Sequence, residues 1–120
     1  MLVVLAALLT FPTTGIGSPF PEATTVVAPY IHTATGSKNQ QKECFVSYKL
    51  KTDKSLISVA QFYREQATKN GALLVSDRSD KSINSRLMLF GEPKFMFIDL
   101  DRNADYTTIG VTYKTTFSCG

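Results

Sequence analysis

The densest run of oxygen ligands in the chain is Asp99-Leu100-Asp101-Arg102-Asn103-Ala104-Asp105-Tyr106-Thr107. Carboxylates and a carboxamide alternate there as in a calcium loop, because Ca²⁺ gathers roughly six to eight oxygens. The pattern breaks at two positions. Ala104 stands where the sharp turn needs glycine, and Gly110 stands where the bidentate glutamate belongs. No helices flank the run. It reads instead as an acidic turn between strands, capped by its own Asp and Asn side chains. Neither a metal nor a cofactor is expected from it.

The other reactive residues are sparse. His32 is the single histidine, and no second ligand stands at metal spacing from it. It reads as a surface residue beside a polar loop. A Cys44/His32 nucleophile pair has nothing in sequence to orient either partner. Serines are plentiful, but the lone histidine has no strand-end setting for a triad. The glycines are isolated and form no phosphate loop, and no G-x-S-x-G occurs. The chain is therefore expected to be non-enzymatic.

Cys44 and Cys119 are the two cysteines. An even count in an exported chain points to a disulfide. Cys44 begins one expected strand and Cys119 ends the last. If these strands are antiparallel neighbours, the start of one lies beside the end of the other. Such a bridge contributes roughly 4–5 kcal/mol on the chain-entropy argument. The alternative is two independent thiols.

The opening residues bear on compartment. Leu2 to Phe11 is nearly all apolar. That is too short for a membrane helix of about 20 residues and suits the apolar core of a signal peptide. Gly15 and Gly17 place small residues before a cleavage point at Ser18. No Lys or Arg precedes the apolar run. The expectation is export to the periplasm or medium, with no stable membrane span; a buried N-terminal strand is the alternative.

The 120 residues are 43% hydrophobic and 19% charged, which fits one globular domain. Net charge is +3 with basic residues scattered, so no nucleic-acid footprint is present. The expected layout is a signal peptide over 1–17, an extended segment over 18–43, and an α+β core over 44–120.

One helix organises that core. In Ser55–Gly71 the residues Val59, Phe62, Tyr63 and Ala67 fall at three- and four-residue spacings on one face. Ser55 is the expected N-cap, and Gly71 the glycine that ends the helix. No second helix is evident, so the apolar stripe is expected to bury against a sheet.

The strands are expected near 45–52, 72–76, 85–90, 95–100 and 107–117, with an edge strand near 24–31 interrupted by Pro29. Cys44, Val46, Tyr48 and Leu50 alternate against Phe45, Ser47, Lys49 and Lys51. Gly91 to Lys94 reads as a hairpin loop. Its two strands are apolar on both faces. Leu87 and Leu89 oppose Met88 and Phe90; Phe95 and Phe97 oppose Met96 and Ile98. One helix covers only one face, so the other needs a cover. Met88, Phe90, Met96 and Ile98 are the expected interaction face. The candidate covers are the segment around Val26, Val27 and Tyr30, a second subunit, a protein partner, or an apolar ligand. As an alternative function, Phe62, Tyr63, Phe95 and Phe97 would hold an apolar ligand between helix and sheet.

Several segments together resemble a group of small exported bacterial envelope proteins of unknown function. Pro19-Phe20-Pro21-Glu22-Ala23 matches their P-[YF]-P-x-A opening. Thr52-Asp53-Lys54-Ser55, Val59-Ala60-Gln61-Phe62-Tyr63 and Asn70-Gly71 follow in the group's order. The similarity covers about residues 19–117. Ala72 stands where many members carry tryptophan, and Glu22 replaces the usual glycine. The resemblance implies a β-α-β-β-β core in the cell envelope and hands over no catalytic residues. The fold expected is one helix on a mostly antiparallel sheet of about five strands. The function expected is a protein-interaction or self-association module.

Overall fold

The segment after the second strand is helical because its ends and its stripe agree. In the computed structural model the Ser55 side chain accepts from the Ser58 backbone N–H, capping the helix start. Gly71 sits at φ +69, beyond the helix end, where glycine is at ease. The structure describes Phe11 and residues 17–35, 42–79, 84–91 and 95–114. Their elements are β1 (Thr24–Thr35), β2 (Lys42–Thr52), α1 (Leu56–Lys69), β3 (Leu74–Ser79), β4 (Ser85–Phe90), β5 (Met96–Arg102) and β6 (Thr107–Lys114).

All six strands form one sheet in the order β1-β2-β6-β5-β4-β3, with every neighbouring pair antiparallel. The α+β expectation holds. The sheet has six strands, the five of the expected core and the edge strand expected from the N-terminal segment. That strand is irregular near Pro29, where its register against β2 shifts between Val27 and Tyr30.

The position of α1 follows from direction. Four antiparallel steps separate β2 from β3, so these two strands run the same way. Their connection must cross a face of the sheet, and a helix is the usual means. The face it crosses is the dry one. Val59, Tyr63, Met88, Phe90, Met96, Ile98, Leu100 and Ile109 are 0% exposed. They belong to one apolar cluster with Tyr48, Leu50, Val111 and the rest of the helix stripe.

This corrects the expected interaction face. Met88, Phe90, Met96 and Ile98 lie in the core beneath the helix. The pairings Met88↔Ile98 and Phe90↔Met96 put all four on one side, and α1 takes that side. The open side of the hairpin carries Leu87, Leu89, Phe95 and Phe97 instead. The hairpin is two-faced as expected, with the roles of the faces exchanged.

The segment around Val26, Val27 and Tyr30 does not cover that open side, because it is β1 and extends the sheet at its edge. Residues 17–23 pack on the helix side. The Tyr48 hydroxyl donates to the Gly17 carbonyl at 2.7 Å, and the Phe20 N–H donates to the Tyr63 hydroxyl at 3.1 Å. The Phe20 and Phe62 rings meet edge to face, 5.3 Å between centroids. Gly17 is needed because a Cβ there would lie 2.8 Å from the Tyr113 ring. Glu22 follows at φ +64, the left-handed region that favours glycine.

Candidate functional site: the outer face of the sheet

Opposite α1, the antiparallel register lines side chains up in rows across the sheet. One row runs Tyr30↔Ser47↔Thr112↔Phe97↔Leu89. The next runs Val27↔Lys49↔Gly110↔Asp99↔Leu87. The two central strands contribute short residues, Ser47, Thr112 and Gly110. The flanking strands contribute large ones, Tyr30 and Val27 on one side and Phe97 on the other. The result is a groove of about 260 Å³ with a polar floor and apolar walls.

A hydrogen-bonded chain crosses three strands at the floor. His32 Nε2 lies 2.7 Å from Ser47 Oγ, which lies 2.8 Å from Thr112 Oγ1. The His32 ring stacks on Phe45 at 5.8 Å and packs beside Tyr30 at 5.5 Å. Phe45 reaches Phe95 at 5.9 Å, and Phe95 reaches Phe97 at 6.2 Å. An aromatic row thus runs from β1 to β5 along one border of the groove. Tyr30 is 49% exposed and Leu87 41%.

A Ser–His contact of this length invites a hydrolytic reading. The sheet argues against it at this spot. Ser47 sits in a strand hydrogen-bonded on both sides, so nearby backbone N–H groups serve the ladder. An oxyanion needs donors left free to face it.

Lys49 and Asp99 flank the bare Gly110 from opposite sides. Partial burial pushes the Asp99 carboxyl above the usual aspartate range. The Asp101 carboxylate pushes the same way and the Lys49 ammonium opposes both.

The remaining sequence candidates fall elsewhere. Phe62 and Tyr63 lie on the helix side while Phe95 and Phe97 lie on the outer side, so the sheet separates the four residues expected to wall one ligand site. The acidic turn is built as expected: Asn103 Oδ1 accepts from the Asp105 and Tyr106 N–H groups at 2.8 and 2.9 Å. Among the described residues no His, Cys, Asp or Glu cluster could hold a metal ion, and no helix is long and apolar enough to cross a membrane. A second depression of about 410 Å³ lies beside Glu22, Lys51, Lys54 and Tyr106. Three of its four charged side chains are engaged: Lys54 pairs with Glu22 at 3.2 Å, and Lys51 lies over the Tyr106 ring, while Asp53 also lines it. Cys44 is buried, and among the described residues no cysteine is free. Cys119 lies outside the described residues, and the expected bridge with it.

No protein-family model, no curated protein and no solved structure matches the chain.

Proposed function

We propose that the chain is a non-enzymatic binding domain of an exported protein, and that it holds its partner on the outer face of its sheet. The observation that carries this reading is the aromatic row and groove opposite the helix, which none of the described residues covers. A monomeric fold gains nothing by leaving Tyr30 and Leu87 in water, and such patches commonly mark interaction sites. The partner is a molecule that presents both apolar surface and hydrogen-bonding groups to that face.

A dye that brightens on exposed apolar surface tests this. Native protein is expected to bind it, and a Tyr30→Ser/Phe97→Ser variant with unchanged thermal midpoint is expected to lose most of the signal. A dark native protein refutes the reading. A second reading rests on the free edge of β3, where Leu73 is 71% and Val75 59% exposed. Light scattering that shows dimers abolished by Val75→Lys, with the dye signal unchanged by the outer-face variant, favours edge-to-edge self-association instead.

Export and the Cys44–Cys119 bridge belong to the same proposal. The strands β2 and β6 are antiparallel neighbours, and Phe45 is paired with Lys114. Cys119 lies five residues beyond Lys114. At about 3.3 Å per residue that length reaches back to Cys44 with ease. Cleavage after Gly17 removes the carbonyl that Tyr48 holds, so the processed form must hydrate that hydroxyl. The expected mass of protein recovered outside the cytoplasm is that of residues 18–120 less two hydrogens, which reduction restores. A recovered full-length chain, or one unchanged by reduction, refutes the respective part.

A further inference from the structure

The geometry points to the occupant of the groove: one pyranose ring of a neutral oligosaccharide, stacked against Tyr30 and Phe97 and hydrogen-bonded at the Ser47–Thr112 floor and the Lys49/Asp99 pair. This rests on the reading of the outer face as the binding surface and names its ligand.

Charge narrows the class first. Lys49 and Asp99 flank the same Gly110, one on each side. Their charges cancel, so the groove has no net attraction for a phosphate, a nucleotide or a polyamine. Polarity narrows it next. A purely apolar ligand would dehydrate the Lys49 ammonium and the Asp99 carboxylate without replacing their hydrogen bonds to water. An extended peptide finds no free strand edge here, because the strands that floor the groove, β2 and β6, each already lie between two neighbours.

What suits the site is a ring with an apolar face and a hydroxylated rim. The aromatic walls offer flat surface to the C–H face of a sugar. The Asp99 carboxylate accepts from adjacent hydroxyls, and the Lys49 ammonium donates to them. Ser47 Oγ is already engaged by His32 and Thr112, which leaves the Thr112 hydroxyl as the floor group with spare capacity for a ligand hydroxyl. Scale agrees. Tyr30 and Phe97 stand three strand spacings apart, roughly 14 Å between backbones, which their side chains shorten. The volume of about 260 Å³ lies just under the roughly 300–1,000 Å³ of pockets that enclose whole ligands. A surface subsite that takes one ring of a longer chain has this size.

Gly110 supplies a clean test. A Cβ there would meet Asp99 at 3.7 Å, an ordinary contact, and the backbone is not left-handed. Valine is also at home in a strand, so Gly110→Val fills the groove while the thermal midpoint holds or rises. Cellohexaose, chitohexaose and maltohexaose are titrated into isotope-labelled protein. At least one is expected to shift the Ser47, Gly110 and Thr112 amides, with little change between low and moderate salt. Gly110→Val is expected to abolish those shifts, and Tyr30→Ala to weaken binding about tenfold. No shift with any of the three sugars, or shifts that survive Gly110→Val, overturns the assignment. If sugars fail while the outer-face dye signal stands, only the ligand falls. If both fail, the outer-face reading falls with it.

Discussion

Tyr63→Ala is expected to destabilise the domain by about 3–5 kcal/mol, the range for emptying a buried aromatic site. The side chain is 0% exposed. Its ring meets Phe62 edge to face at 5.0 Å, and its hydroxyl accepts the Phe20 N–H. The residue therefore ties the helix to the sheet and to the N-terminal segment at once. A domain of this size is stable by only about 5–15 kcal/mol, so the variant approaches the threshold of folding. Tyr63→Phe keeps the ring and strands the Phe20 N–H, at a cost of about 1–3 kcal/mol. Urea denaturation separates the two costs. Equal costs would mean that the hydroxyl, not the packing, holds this corner. Burial also pushes the Tyr63 and Tyr48 phenols above the usual tyrosine range. A raised folded-state value adds stability that is complete below the ordinary value of 10.0 and lost as pH rises beyond it. Wild type is thus expected to weaken in strong alkali more steeply than Tyr63→Phe.

How far such a corner can be read from sequence depends on how local its cause is. The cap at Ser55, the stop at Gly71, the β2 alternation and the β4–β5 hairpin are set by neighbours a few residues apart, and all were legible. The assignment of the hairpin's faces was not. Both faces are apolar, and the choice is made by the crossing of α1, a consequence of strand order. One signal was present. Asp99 and Asp101 share parity with Phe95 and Phe97, so charge marked that face as the wet one. The groove was beyond reach for another reason. Ser47 lies 15 residues from His32 and 65 from Thr112, and their contacts exist only in the register. That register passes through the irregularity at Pro29, which alternation alone cannot count across. His32 looked like a surface residue because its partners were invisible along the chain.

The same limit hid the cluster with the second-largest expected effect, Asp77 with Arg86 and Arg64. Arg86 donates from Nε and Nη2 to the two Asp77 oxygens, each at 2.7 Å, a forked pair. Arg64 reaches Asp77 Oδ2 from α1 at 2.8 Å. One carboxylate thus joins the helix, β3 and β4 on the helix side of the sheet. The Asp77 and Arg86 side chains are each 17% exposed, whereas Arg64 is 41% exposed. Asp77→Ala leaves two guanidinium groups facing each other, one of them largely out of water. The expected cost is about 2–3 kcal/mol, below the roughly 3–5 of a fully buried pair because some solvent remains. Arg64→Ala removes only the wetter partner and is expected to cost under about 1 kcal/mol. The decisive measurement is the cycle with Asp77→Ala/Arg86→Met. An apolar side chain of similar length no longer needs a counter-charge, so the double variant is expected to recover much of the loss in chemical denaturation. Strict additivity of the two changes would show that the stranded charge was not the source of the cost.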